Sequence, residues 1–135
     1  MARRLKERQM PHFSPRATQA IRDFVANLRM DHVAPASDGS YSFAFDRAGL
    51  LSFSPSADGR RAIISLKSHE QSSKTAGDMR QFLSLAQHDP MTQTPISAGI
   101  VGNAFVLAAN IPDCDFDLQK IELCLDRMIA LHSSI

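Results

Sequence analysis

Apolar and polar positions along this chain follow two rhythms, and the changes of rhythm mark its elements. Ala17, Ile21, Phe24, Val25 and Leu28 fall at i, i+4, i+7, i+8 and i+11, one stripe of an amphipathic helix. Ser14 stands where an N-cap is wanted, and Pro15 follows at the first helical position, where its missing N–H is no loss. The helix is expected to stop near Met30–Asp31, ahead of Pro35.

After Asp38-Gly39 the period drops to two. Tyr41, Phe43 and Phe45 alternate with Ser42 and Ala44, and Leu51 and Phe53 alternate with Ser52 and Ser54. A two-residue loop at Arg47-Ala48 would set Phe45 opposite Leu50 and split the aromatic face. A three-residue loop of Arg47, Ala48 and Gly49 sets Phe45 opposite Leu51 and Phe43 opposite Phe53, with Gly49 at the left-handed third position. The second register is therefore expected. Ser56-Ala57-Asp58-Gly59 makes the next turn, and residues 62–66 a third strand.

A polar stretch from His69 to Thr75 leads to a helix marked by Met79, Phe82, Leu83 and Ala86, which residues 87–90 are expected to end. Two further strands, residues 96–101 and 104–109, flank Gly102-Asn103, a dipeptide suited to a two-residue hairpin. A last helix starts near Asp115 or Asp117, whose charges suit its positive end, and carries the stripe Leu118, Ile121, Leu125, Met128, Ile129 and His132.

The expectation is an α+β fold: an antiparallel twisted sheet of about five strands with three helices, in the order α-β-β-β-α-β-β-α. The run from Ala104 to Ala109 does not alternate. Either both faces of that strand are covered, the second by another subunit or a bound segment, or it is a central strand buried by its own domain.

The chain has 135 residues, enough for one domain with a real core, and 44% are hydrophobic. Its net charge of +1 offers no global attraction to nucleic acid or membrane, and no apolar run is long enough to cross a bilayer. Arg3, Arg4, Lys6 and Arg8 crowd the start, so residues 1–14 read as a flexible basic arm ahead of a single domain over 15–135. The arm could touch phosphates, but no aromatic residue interleaves with its cations, and a solubilising tail is the better reading. The start lacks the apolar core of a secretory signal, and Cys114 and Cys124 have neither redox-motif nor framework spacing.

No phosphate-binding glycine loop, zinc-protease motif or nucleophile elbow occurs, and the five histidines are scattered. Cys124 and His132 share a helix face, but eight residues of helix separate them by about 12 Å, too far for a nucleophile and its base. No catalytic residue, metal or cofactor is expected, and the chain reads as one that works through its surfaces.

The segments resemble the class I type III secretion effector chaperones of the Tir-chaperone type. The resemblance spans roughly residues 17–132 and is carried by the stretch from Ile21 to Leu28, the meander with Phe43-Ala44-Phe45-Asp46 and Gly49-Leu50-Leu51-Ser52-Phe53, and the closing run Ala104-Phe105-Val106-Leu107 with Ile111-Pro112 before the last helix. It implies a homodimer in the bacterial cytoplasm that holds the non-globular N-terminal segment of a secreted effector extended and ready for export. The export ATPase would be a further contact, with no membrane partner and nucleic acid disfavoured. It also implies an effector surface at Phe24, Leu28, Phe43, Leu51, Phe53 and Ile63, and a dimer contact at Met79, Phe82, Leu83, Ile100, Phe105 and Leu107. The alternative is a non-secretory interaction or adaptor domain of the same fold.

Overall fold

A computed structural model describes residues 12–30, 34–69 and 75–135, the side chains of residues 87–89 excepted. The chain opens on helix α1, Pro15–Asn27. Ser14 caps it as the sequence predicts: the Ala17 N–H donates to its hydroxyl at 3.0 Å. The same hydroxyl donates to the Asp113 carboxylate at 2.6 Å, which pins the helix start to a segment 99 residues away.

Residues 1–11 of the expected arm lie outside the described residues. Of its described end, Phe13 is buried, with its ring 6.0 Å from Tyr41 and 6.2 Å from Phe116.

Two meanders make the sheet. The first is β1 (Tyr41–Phe45), β2 (Gly49–Pro55) and β3 (Arg61–Lys67). Helix α2, Ala76–Leu83, follows; its start is closed by a capping box in which Thr75 and Asp78 exchange hydrogen bonds. The second meander is β4 (Gln87–Asp89), β5 (Thr94–Val101) and β6 (Ala104–Pro112). A 3-10 turn at Asp113–Asp115 leads into α3, Leu118–Ser133. Asp117 is its N-cap and accepts the Lys120 N–H at 2.8 Å.

The strands lie in the order β1-β2-β3-β6-β5-β4, all antiparallel. The expected succession of helices and five main strands stands, with one short strand added. Residues 87–89, expected to close α2, instead pair with β5. The helix stops earlier, at Leu83, and the freed backbone then finds partners on the edge of β5.

The β1–β2 register departs from the expected one by two residues. Phe45 faces Gly49, Phe43 faces Leu51 and Tyr41 faces Phe53. The loop is Asp46, Arg47 and Ala48, and Gly49 opens β2 instead of closing the turn. The apolar residues still share one face because the shift is two residues, an even number. Gly49 has φ +110°, and a Cβ there would collide with the Lys67 carbonyl oxygen. Glycine is thus required by the close passage of β3 and by a positive φ.

The β5–β6 hairpin matches its prediction: Val101 pairs with Ala104 across Gly102-Asn103, with Gly102 at φ +61°.

One sheet face carries Phe43, Leu51, Phe53, Ile64, Leu66 and Leu107, all buried. Helices α1 and α3 pack against each other, α3 lies over β3 and β6, and α2 sits on β5. Phe53 is the centre of the aromatic core, with ring centroids 5.6 Å from Phe24, 5.8 Å from Phe43 and 6.2 Å from Phe116. A second stack, Phe105 on Phe82 at 4.4 Å and Phe82 on His132 at 5.4 Å, ties α2, β6 and α3 together. Among the described residues no buried side-chain nitrogen or oxygen lacks a partner.

The β2–β3 turn is built on Asp58, which accepts from the Ser56 hydroxyl at 2.7 Å and the Arg60 N–H at 3.0 Å. The Ser56 hydroxyl, then the Arg60 N–H, holds this exposed carboxyl below its ordinary range. A depressed carboxyl adds stability that is present above its unfolded value and lost as pH falls through its folded one. Asp58→Asn should therefore shrink the acid-induced loss of stability below about pH 4. Denaturant midpoints across that window check it; an unchanged acid limb would remove Asp58 from the account.

Candidate partner-binding surfaces

Among the described residues, the face of the sheet away from the helices is open. Its rows follow from the registers: Ser42, Ser52, Ser65, Ala108 and Ser97 form one, and Ala44, Leu50, Lys67, Val106 and Gly99 the next. Ser42 and Ser52 meet through their hydroxyls at 3.3 Å. Small side chains make this face low, so the longer Leu50 and Ile63 stand out from it. The all-apolar run of β6 divides between the two faces. Phe105, Leu107 and Ala109 are buried under the helices, whereas Val106 and Ala108 are half-buried on the open side. Among the described residues no helix covers them there.

The edges of the sheet differ. β4 is three residues long, too short to template a partner strand. β1 has the sequence Tyr-Ser-Phe-Ala-Phe, with no charge and no proline, and pairs only on its β2 side among the described residues. Such an edge can accept an added strand.

The residues that the resemblance implies for effector contact fall into two groups. Leu28, 37% exposed at the end of α1, and the half-buried Ile63 on the open face are accessible. Phe24, Phe43, Leu51 and Phe53 lie in the core between α1 and the first meander. Those implied for dimer contact divide likewise. Leu83 is 44% exposed, and Met79 and Ile100 are half-buried. Phe82, Phe105 and Leu107 are buried in the single chain.

Sequence reasoning placed some exposed apolar residues on no surface, Met91 at 63% and Leu123 at 40% among them. Val101, 57% exposed, follows Ile100 in the hairpin implied for dimer contact.

At the end of the sheet beside the β1–β2 turn, a cavity of about 500 Å³ opens between Leu66, Phe105, Ile129 and Arg47. His132 is fixed at its rim, its Nε2 2.9 Å from the Leu66 carbonyl oxygen, and His69 is held by the Asp46 carbonyl oxygen at 2.9 Å. No spacing in the sequence announces this cavity, since its walls come from four distant segments.

Cys124 is buried and Cys114 is exposed. Among the described residues no cluster of His, Cys, Asp or Glu is arranged to hold a metal, and no helix is long and apolar enough to cross a membrane.

No protein-family profile and no curated protein matches the sequence. Solved structures match the fold. A chain of the ExsC–ExsE complex is similar over 84% of this chain and 85% of its own, with a TM-score of 0.66 at 16% identity. The Yersinia pestis type III secretion chaperone SycH, solved with a stable fragment of YscM2, matches over 85% of this chain and 98% of that one, with a TM-score of 0.62 at 10% identity. A chain of the HopA1–SchA chaperone–effector complex matches over 86% and 92%, with a TM-score of 0.60 at 14% identity.

The described residues form a two-layer α+β domain with one sheet face uncovered by helices and a β1 edge that pairs on one side. The chain shares its fold with these type III secretion chaperone chains, and the resemblance read from its element order is one of architecture.

Proposed function

We propose that the chain is a cytoplasmic bacterial chaperone, without enzymatic activity, that binds the N-terminal segment of a secreted effector in extended form and keeps it competent for type III secretion. The observation that carries this reading is the fold shared with chains from chaperone complexes, joined to a β1 edge free to take a strand. The client's apolar side chains would settle at Leu28, with Phe24, Phe43, Leu51 and Phe53 forming the floor beneath, and at Ile63 on the open face. Each buried leucine or phenylalanine stabilises the complex by roughly 1.5–3 kcal/mol, against an ordering cost on the order of 2–5 kcal/mol for the segment. Several pockets must therefore act together. A homodimer supplies them in duplicate along one continuous client chain. Its interface would use Met79, Leu83 and Ile100, backed by Phe82, Phe105 and Leu107. The export ATPase is the expected receiver of the loaded complex.

Tagged protein recovered from its own organism should carry one or a few secreted proteins held through their N-terminal segments, and its mass in solution should be that of a dimer. A monomer with no such partner would sink the proposal. Recovery of cytoplasmic proteins alone would turn the reading to an adaptor domain. Leu28→Asp should weaken client binding by about tenfold or more, the worth of one lost apolar contact, and leave the unfolding midpoint near wild type because the side chain is partly in water. Unchanged affinity would remove Leu28 from the surface.

A further inference from the structure

We propose that the corner where the β1–β2 turn, the end of β3 and the last turn of α3 meet is a further anchor for the client, selecting an apolar side chain followed closely by an acidic one. The inference rests on the client-binding reading and adds to it a site and a chemistry.

Two cavities meet at this corner. The one of about 500 Å³ lies on the helix side, with Leu66, Phe105 and Ile129 as its apolar walls. The other, about 290 Å³, lies on the open face against Leu50 and Lys67. Both are lined by Ser68 and His69, so an extended segment can pass round the end of the sheet from one to the other. Their combined size suits a side chain and its neighbours. The walls are preformed: the His69 ring is tied to the Asp46 carbonyl oxygen, and His132 is tied to Leu66 and stacked on Phe82. Ser68 is fixed from both sides, donating its N–H to the Phe105 carbonyl oxygen at 2.8 Å and accepting the Phe105 N–H at its hydroxyl at 2.9 Å.

Charge sets the direction. Arg47 lines the first cavity and Lys67 the second, and no lining residue among those described is acidic. The end of α3 borders the helix-side cavity through Ile129, His132 and Ser133, and a helix C-terminus carries partial negative charge. A carboxylate is disfavoured there and favoured near Arg47 and Lys67. The apolar side chain therefore enters under α3, and the acidic one lies outward over the turn.

The test uses two short glycine–serine peptides, one carrying a leucine and a nearby glutamate, the other with lysine in place of the glutamate. Each is titrated into the full chain and followed by amide NMR. The glutamate peptide should shift the amides of Gly49, Ser68 and His69 and bind about fivefold more tightly than the lysine peptide. That preference should fade with added salt. The double variant Arg47→Glu, Lys67→Glu should abolish or reverse it; both side chains reach solvent, and circular dichroism confirms the fold.

Equal binding of the two peptides, shifts confined to other surfaces, or a preference that survives the double variant would overturn the proposal. So would a change of the double variant's mass in solution, which would make the corner an interface between copies of the chain. The two readings fail separately. A wild-type chain that retains no secreted protein removes the chaperone role, whereas a client held equally by wild type and double variant removes only this anchor.

Discussion

Phe53→Ala is expected to cost about 3–5 kcal/mol of folding stability, a large share of the roughly 5–15 kcal/mol that a domain of this kind has. The ring is fully buried and meets three others, Phe24, Phe43 and Phe116, from α1, β1 and the approach to α3. Its removal leaves a cavity that three other segments border, and none can close it without dragging its own partners. Lost dispersion contacts add to the lost transfer energy. Urea unfolding should show a lower midpoint with a slope near that of the wild type. A loss below about 1 kcal/mol would mean that the core collapses around the gap, and that Phe53 is not its centre. Client binding should fall with stability, because the proposed floor of the effector surface is the same cluster.

Gly49→Ala should be the second severe change, and for a different reason. The substitution adds one methyl group, yet that methyl is aimed at the Lys67 carbonyl oxygen, with the Lys67 carbonyl carbon at 3.0 Å and the Ser68 Cα at 3.1 Å. These are backbone atoms at the end of the neighbouring strand, so β3 itself would have to move. The positive φ alone contributes strain on the order of 1–3 kcal/mol, and the shift of β3 adds to it. Gly99→Ala is the control, since a Cβ there meets nothing within 4 Å. If the two variants unfold at the same denaturant concentration, the close passage of β2 and β3 at this point is wrong. Gly49→Ala should also disturb the corner cavity, whose walls include Ser68.

The parts of this architecture that were legible in the sequence are those set by local chemistry. Ser14 and Pro15 announce the start of α1, Asp117 that of α3, and Gly102-Asn103 the second hairpin. Period two along Tyr41–Phe45 puts the aromatic side of β1 on the core face. The β1–β2 pairing shows where such reasoning stops. The pattern fixes which face each residue takes, but registers two residues apart satisfy it equally, and the choice between them came from the distant backbone of Lys67. The short strand β4 was illegible for a similar reason: three polar residues pair because β5 lies beside them, not because of any rhythm of their own.

The candidate surfaces divide in the same way. Leu28 and Leu83 sit at exposed ends of helical stripes, and the pattern reaches them. Phe43, Leu51 and Phe53 stand out as clearly in the alternation of β1 and β2 but are consumed by the core, a distinction that periodicity cannot draw. The corner cavity had no signal at all, because Arg47, Lys67, Phe105 and Ile129 are brought together only by the finished fold.

The order of strands also governs how the chain is made. β3 is the last strand of the first meander and is central only because β6 pairs with it, from Arg61 opposite Pro112 to Lys67 opposite Val106. During synthesis, β3 must wait with one side unpaired while everything as far as Pro112 leaves the ribosome, and α1 waits longer still for α3. Joining the halves is a non-local event and is expected to set the pace of folding. Until it happens, the nascent chain displays an unpaired Ile63-Ile64 edge of the sort that promotes aggregation. A protein proposed to shield unfolded clients is thus, for the first part of its own life, in need of shielding itself.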